Sequence, residues 1–170
     1  SRSMQATDVQ PSRFAAAKQA ALAFLEEVPD EYSVGIVSFS TNADPVLPPT
    51  TDREAGRIAL NELRLGSGTA LGAAIARSVE LALEASERER PPAAGARSPG
   101  AVVVLSDGAQ TSGDVQPQAA ARRARELGVP VSTVGLGTGD AVVEVPRPGG
   151  LQERVVVAPD LPTLRRIAQT

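Results

Sequence analysis

Ala101-Val102-Val103-Val104-Leu105-Ser106-Asp107-Gly108 is the stretch that decides the fold. Its run of five apolar residues predicts a strand buried on both faces, which ends abruptly at a carboxylate and a glycine. In an open α/β sheet, ligands bind just beyond the carboxyl ends of the strands. Asp107 is therefore the first candidate for a binding residue, and we interpret the rest of the chain as its scaffold.

Helical and strand patterns alternate on both sides of this stretch. The predicted helices cover residues 12–28, 51–63, 70–87, 117–127 and 161–168, and the predicted strands cover 34–39, 43–47, 101–105, 131–136, 142–145 and 155–157. This alternation predicts an α/β fold with a doubly wound, mostly parallel sheet flanked by helices. Pro45 and Pro48 make the second strand an antiparallel edge strand.

The chain length suits one domain over residues 1–170, large enough to bury a core. Within it, residues 86–100 are expected to form a flexible, solvated loop, because Arg alternates there with Pro, Ala, Ser and Gly. Residues 141–157 are expected to form a surface hairpin. Thr51-Asp52-Arg53-Glu54 predicts a capping box at the start of a helix, and Asp8 is interpreted as a turn residue.

Composition excludes several classes of function. The net charge of -3, the pI near 5.1 and the aromatic content of 2% argue against nucleic acid as a partner. No apolar run reaches the roughly 18 residues of a membrane span. The sequence has no Cys and no His, which removes disulfides, thiol nucleophiles, Ser-His triads and ordinary zinc sites. Any metal must therefore be held by oxygen ligands.

Oxygen donors are predicted at three places near the strand ends: Ser1 and Ser3, Thr69, and Asp107. Hydroxyl groups are neutral ligands, whereas the carboxylate supplies charge. Such a set can hold a hard divalent cation and leave a coordination position open. Taken alone, Thr69 is also well placed to be a helix N-cap, and Asp107 a turn residue.

Three segments resemble those that form the metal-ion-dependent adhesion site of von Willebrand factor type A domains. They are Ser1-Arg2-Ser3-Met4, Ser67-Gly68-Thr69-Ala70 and Leu105-Ser106-Asp107-Gly108. The chain is also similar to the bacterial membrane-anchored branch of this family, which includes the Bat-type aerotolerance proteins. This similarity lies in residues 7–13, 34–40, 128–131 and 134–138. The resemblance implies that Ser1, Ser3, Thr69 and Asp107 bind Mg²⁺ or Mn²⁺, with Ca²⁺ as a further candidate. A partner protein would complete the coordination with an Asp or Glu. It also implies a full-length protein anchored in the membrane, with this domain on the extracytoplasmic face.

The sequence departs from the family pattern at both ends. The family's first motif is Asp-x-Ser-x-Ser, whose aspartate would lie two residues before Ser1, and the strand leading into that motif would also precede Ser1. The family's last strand and helix would follow Thr170. We therefore expect unpaired edges on the strands 34–39 and 101–105. We expect another segment to fill this gap, such as a strand from a neighbouring chain through exchange or oligomerisation; otherwise the chain should be unstable or prone to aggregation.

Two other functions stay open beside a non-enzymatic binding module. One is a metal-free scaffold that uses the same face, or the Arg-rich loop, for assembly. The other is a Mg²⁺-dependent, phosphatase-like hydrolase, for which Asp107 is the only nucleophile candidate at a strand end, without a second carboxylate, Lys or His to assist. Chelator-insensitive binding would favour the scaffold, and turnover with Mg²⁺ would favour the hydrolase.

Overall fold

The computed structural model describes residues 1–89, 100–146 and 152–170, which form an α/β fold. A short 3-10 turn at Arg2–Gln5 opens the chain. The helices are α1 (Arg13–Glu27), α2 (Arg53–Glu62), α3 (Leu71–Glu89), α4 (Pro117–Glu126) and α5 (Leu161–Ala168). The strands are β1 (Val34–Phe39), β2 (Ala43–Thr50), β3 (Val102–Ser106), β4 (Val131–Gly135), β5 (Ala141–Pro146) and β6 (Gln152–Val157). The predicted α/β class and its order of elements are confirmed.

Side chains that accept backbone N–H groups fix where three of the helices begin. The Ser12 hydroxyl accepts from the backbone N–H of Ala15 at the start of α1, and Asp160 caps α5 in the same way. In α2 the cap is Asp52, whose carboxylate accepts from the Ala55 N–H at 3.0 Å. The predicted capping box is therefore wrong in its cap residue, since Thr51 lies one position too early.

The described strands pair as three two-stranded sheets. β3 and β4 are parallel and in register throughout, from Val102↔Val131 to Ser106↔Gly135, and α4 makes the crossover between them. β1 and β2 are antiparallel, as predicted for an edge strand that contains proline. β5 and β6 form a second antiparallel pair, which we call the β5–β6 hairpin. The residues between its strands, 147–151, lie outside the described part of the chain.

The main core lies between α3, β3, α4 and α5. Its members are aliphatic and almost fully buried, and they include Leu71, Ile75, Val104, Ala124 and Ile167. β3 is not buried on both faces as the sequence predicts. Val102 and Val104 are buried, whereas Val103 and Leu105 are partly exposed, because both line a large groove.

This groove, about 1620 Å³ in volume, separates β1 from β3 and is floored by residues of α1 and α3. Within the described residues, β1 pairs only with β2 and β3 pairs only with β4, so their facing edges have no strand partner. The unpaired edges expected from the sequence are therefore present. That a neighbouring chain supplies the strand stays a prediction.

Helix α3 continues to Glu89 and so includes the first residues of the segment predicted as a loop over 86–100. Residues 90–99 of that segment lie outside the described part of the chain. Among the described helices, none combines the length and the apolar character needed to cross a membrane.

Candidate functional site

Asp107 follows β3 directly and is only 1% exposed. The chain turns at Gly108, whose φ is +89°, and a Cβ there would lie 2.3 Å from the carbonyl oxygen of Asp160. The same two segments are joined by a hydrogen bond from the Asp160 N–H to the Asp107 carbonyl at 2.6 Å. Gly108 also donates its N–H to the Ser106 hydroxyl. The backbone of Asp107 is therefore held on both sides.

Thr69 lies just before α3 and is 2% exposed. The next residue, Ala70, donates its N–H to the Ser40 carbonyl at 2.7 Å, which ties the loop to the end of β1. The Thr69 carbonyl accepts the N–H groups of both Thr111 and Ser112, which belong to the loop after Asp107. The Thr69 loop and the Asp107 loop are thus fastened to each other.

Gln110, which no motif in the sequence singles out, strengthens this connection. Its side-chain oxygen accepts the N–H of Gly72 in the first turn of α3 at 3.0 Å. Its side-chain nitrogen donates to the carbonyls of Val115 at 3.1 Å and Gly113 at 3.4 Å. One amide therefore joins the Asp107 loop to the start of α3. The only signal in the sequence is an amide side chain three residues after Asp107.

Ser1 and Ser3 lie in the 3-10 turn, and their hydroxyl oxygens are 2.5 Å apart. The amino group of Ser1 donates to the Gly66 carbonyl at 3.0 Å. Ser1, Thr69 and Asp107 line the same groove.

Three oxygen atoms at this end of the groove are buried without a hydrogen-bond partner: Thr69 Oγ1 and both carboxylate oxygens of Asp107. Thr69 is thus no N-cap through its hydroxyl, although its position suggested one. A buried oxygen without a partner costs about 1–3 kcal/mol, so native structures retain few of them without a reason. These oxygens are of the kind that a hard divalent cation takes as ligands.

The charge at the site is small. The described residues contain no cluster of three or more His, Cys, Asp or Glu side chains. A cation held by Asp107, Thr69 and the two serines would therefore meet one carboxylate and several neutral oxygens. Such a donor set fits a divalent ion that keeps positive charge and an open position for an anionic ligand.

Arg13, the first residue of α1, is the buried cation of the site, and the sequence analysis did not identify it. It is 0% exposed. Its Nε and Nη2 atoms donate to the two oxygens of Asp8 at 2.8 and 3.0 Å, and Nη2 also donates to the carbonyls of Gly139 and Val157. Its Nη1 atom lies 3.5 Å from Asp107 Oδ2. Asp8 is therefore half of a buried ion pair, so its interpretation as a turn residue was incomplete.

Comparison with known proteins bears on this geometry. The model of the von Willebrand factor type A domain matches residues 1–110, which include the Ser1, Thr69 and Asp107 segments. Among solved structures, BatB from Bacteroides thetaiotaomicron is 28% identical, with a TM-score of 0.77 over 99% of this chain and 81% of that one. An aerotolerance-related membrane protein from Bacteroides fragilis is also 28% identical, with a TM-score of 0.75 over 99% of this chain and 82% of that one.

Curated relatives extend the comparison to longer proteins. A UPF0353 protein of Nocardia farcinica is 37% identical over 182 residues, which cover 99% of this chain and 52% of that protein. A UPF0353 protein of Mycobacterium tuberculosis is 34% identical over 178 residues, which cover 99% of this chain and 50% of that protein. The chain thus spans about half the length of the curated relatives it matches.

Proposed function

The chain belongs to the von Willebrand factor type A domain family, and from this premise we propose that it is a metal-ion-dependent protein-binding module. Domains of this family commonly act as protein-interaction modules. The observation that carries the metal-dependent part is the set of buried oxygens of Thr69 and Asp107 that lack hydrogen-bond partners. A cation at this place would satisfy them together.

Each residue has a role in this proposal. The hydroxyl groups of Ser1, Ser3 and Thr69 serve as neutral ligands, directly or through water. Asp107 supplies the negative charge. Mg²⁺ and Mn²⁺ suit this oxygen set, and Ca²⁺ is a further candidate. The bound ion supplies an electrophilic position, to which a partner protein presents an Asp or Glu, and the surrounding loops select the partner.

The proposal involves no bond cleavage. The carboxylate that directly follows β3 is Asp107, and its charged neighbour is the guanidinium of Arg13, which also holds the Asp8 carboxylate in an ion pair. A hydrolase would need a second group to activate water. We therefore favour a non-enzymatic module.

The relatives also support a proposal about the location of the protein. The protein of Bacteroides fragilis is described as a membrane protein, and this chain covers only part of its curated relatives. We propose that the full-length protein is associated with the membrane and presents this domain on the extracytoplasmic side. Protease accessibility of the domain in intact spheroplasts and in inverted vesicles tests the side directly.

Thermal unfolding with and without Mn²⁺ tests the metal site. We would use the 170-residue chain and a version lengthened upstream of Ser1 to supply the family's Asp-x-Ser motif. Mn²⁺ at about 100 times its dissociation constant should add roughly 2.7 kcal/mol to the stability. Thr69→Val and Asp107→Asn should abolish this gain. Without metal, Thr69→Val should be neutral or stabilising, because it removes an unpaired buried hydroxyl.

Thr133→Val is the matched control, because the Thr133 hydroxyl already donates to the Leu164 carbonyl and lies on β4. It should lower the stability without metal and leave the Mn²⁺ gain unchanged. If neither form of the protein responds to Mn²⁺ or Mg²⁺, the metal-dependent proposal is wrong and a metal-free scaffold replaces it. Phosphatase turnover with Mg²⁺ that is lost in Asp107→Asn would instead establish the hydrolase.

The unpaired edges of β1 and β3 extend the proposal to self-association. We propose that the 170-residue chain exchanges or recruits a strand at this groove, since two exposed strand edges face each other across it. Sedimentation velocity should show association that increases with concentration. A monodisperse monomer with a single cooperative unfolding transition would contradict this part.

A further inference from the structure

The guanidinium of Arg13 contacts four separate parts of the chain. One edge binds both oxygens of Asp8, in the segment before α1. Nη2 also donates to the carbonyls of Gly139, before β5, and Val157, at the end of β6. Nη1 points toward Asp107 at 3.5 Å and has no hydrogen-bond partner.

The surrounding backbone is shaped for this side chain. At Gly137 the φ angle is +116°, and a Cβ there would lie 2.8 Å from Arg13 Cζ and Nε. The N–H of Thr138 donates to Asp8 Oδ2 at 2.9 Å, so the segment between β4 and β5 is hydrogen-bonded to the Asp8–Arg13 ion pair. No side chain other than hydrogen fits at position 137 without moving the guanidinium.

We propose that Arg13 is a positioning residue that couples the state of Asp107 to the β5–β6 hairpin. Its side chain is shared between the Asp107 carboxylate and two carbonyls at the base of the hairpin, those of Gly139 just before β5 and Val157 at the end of β6. When a cation neutralises Asp107, the pull on Nη1 weakens and the positive ion repels the guanidinium. Arg13 then binds Asp8 and the hairpin carbonyls more tightly, and the hairpin becomes more ordered.

This inference rests on the proposed function, because a cation at Asp107 is the signal that Arg13 transmits. It goes beyond that function because it identifies the hairpin, on the far side of the guanidinium, as the part of the chain whose order changes when the metal binds. Partners that contact the hairpin would therefore sense the metal without touching it. By linkage, such partners would change the metal affinity by the same factor.

Hydrogen exchange of the hairpin amides, followed by mass spectrometry, tests the coupling. In the parent, saturating Mn²⁺ should slow exchange in β5 and β6 by about fivefold, at the low end of site-to-site couplings. Arg13→Lys should still bind Mn²⁺ by water-proton relaxation but should lose this response. The lysine keeps the positive charge, yet its single nitrogen cannot contact Asp8, Asp107 and the Val157 carbonyl together.

Arg53→Lys is the matched control, because Arg53 also donates to several backbone carbonyls, those of Val28, Pro29 and Tyr32, but does so far from Asp107. It should keep the full Mn²⁺ response. If Arg13→Lys does not fold, Gly137→Ala replaces it, since the added methyl group displaces the guanidinium without removing its charge. A full response in either Arg13→Lys or Gly137→Ala would overturn the inference.

A metal-free experiment distinguishes a failure of this inference from a failure of the proposed function. If the parent binds no Mn²⁺, the proposed function fails, and the coupling is then tested with Asp107→Asn, which removes the carboxylate charge directly. Hairpin exchange should slow in Asp107→Asn and stay unchanged when Asp107→Asn is added to Arg13→Lys. If the hairpin amides of Asp107→Asn exchange at the same rate as those of the parent, the proposed coupling is wrong.

Discussion

The two sides of the groove are built differently. On one side, β3 and β4 are parallel and keep their register over all five pairs, and they pack on a core of fully buried aliphatic residues. On the other side, the register of β1 and β2 breaks on either side of Ile36, and no residue of either strand is buried. The β3 side therefore contributes buried residues to the main core, whereas the β1 side contributes only the partly buried Phe39 to it.

The candidate site joins these unequal sides. Asp107 belongs to the β3 side, whereas Thr69 is tied to the end of β1 through the hydrogen bond from Ala70 to Ser40. The Thr69 carbonyl already joins the two loops through the Thr111 and Ser112 N–H groups, and a ligand that contacts both Thr69 and Asp107 would strengthen this connection.

The largest difference should appear when one isoleucine is truncated on each side. Ile75→Ala in α3 removes a side chain that is 0% exposed and should lower the free energy of unfolding by about 4 kcal/mol. Ile36→Ala in β1 should cost about 1 kcal/mol, because Ile36 lies partly exposed on the groove. Urea unfolding measures both. Ile58→Ala, at a position 49% exposed, is the control. Equal losses for Ile75 and Ile36 would refute the comparison.

Glycine-to-alanine substitutions should show the same inequality on a smaller scale. A Cβ at Gly72 would lie 2.0 Å from the Val115 carbonyl oxygen, so Gly72→Ala should cost about 3 kcal/mol. A Cβ at Gly35 would lie 3.1 Å from its nearest atom, Pro49 Cγ, and the loosely packed β1 side can shift to make room. Gly35→Ala should therefore lower the free energy of unfolding by less than about 1 kcal/mol.

Gly139→Ala is the control for this pair, because nothing lies within 4 Å of its Cβ position. Thermal melts of the three variants provide the ranking. A Gly35→Ala variant that is less stable than Gly72→Ala would show that the β1 side is the more rigid one.

Acid should weaken the ion pair between Asp8 and Arg13 at the start of α1, which contacts the chain after β4 through the Thr138 N–H. The Arg13 guanidinium holds the pKa of Asp8 at about 2, against an ordinary value of 3.8, with help from the Thr138 N–H and against the effect of burial. Since the folded-state pKa is the lower one, the contribution is complete above about pH 4 and is lost as the pH falls toward 2. It amounts to at most about 2 kcal/mol. Unfolding free energies measured between pH 5 and pH 2 should fall more steeply in the parent than in Asp8→Asn, and parallel curves would contradict this assignment.

The smallest effect should come from the surface ion pairs of the β1 side. Arg57 on α2 contacts Glu26 at 2.6 Å and Glu54 at 2.8 Å, but its side chain is 40% exposed. Solvent and salt screen such pairs. Arg57→Ala should therefore leave the melting temperature almost unchanged in both low and high salt. A salt-dependent loss comparable with that of Gly72→Ala would show that the β1 side relies on charge rather than on packing.

Local patterns in the sequence were enough to predict the helices and strands. Apolar periodicity and capping residues such as Asp160 act within a few residues, so they can be recognised without the fold. The position of Asp107 at a strand end could be predicted for the same reason. The exposure of Val103 could not, because it depends on the edge that β1 leaves open across the groove.

The partners of Arg13 could not be predicted from local sequence patterns. An arginine at the start of an apolar helix is usually solvated, and only Asp8, five residues earlier, is near it in the sequence. The Gly139 and Val157 carbonyls are 126 and 144 positions away. The unpartnered hydroxyl of Thr69 could not be predicted either, because sequence shows that a residue can cap a helix but not whether its hydroxyl oxygen meets a backbone N–H donor.

The amide of Gln110 has a kinetic consequence. Because it fastens the Asp107 loop to α3, those residues lose their conformational freedom during folding and not when a ligand arrives. Association at this site would then need no slow loop closure, and its rate constant would be set by encounter and by the release of bound water. Ligands of different affinity would differ mainly in how long they stay.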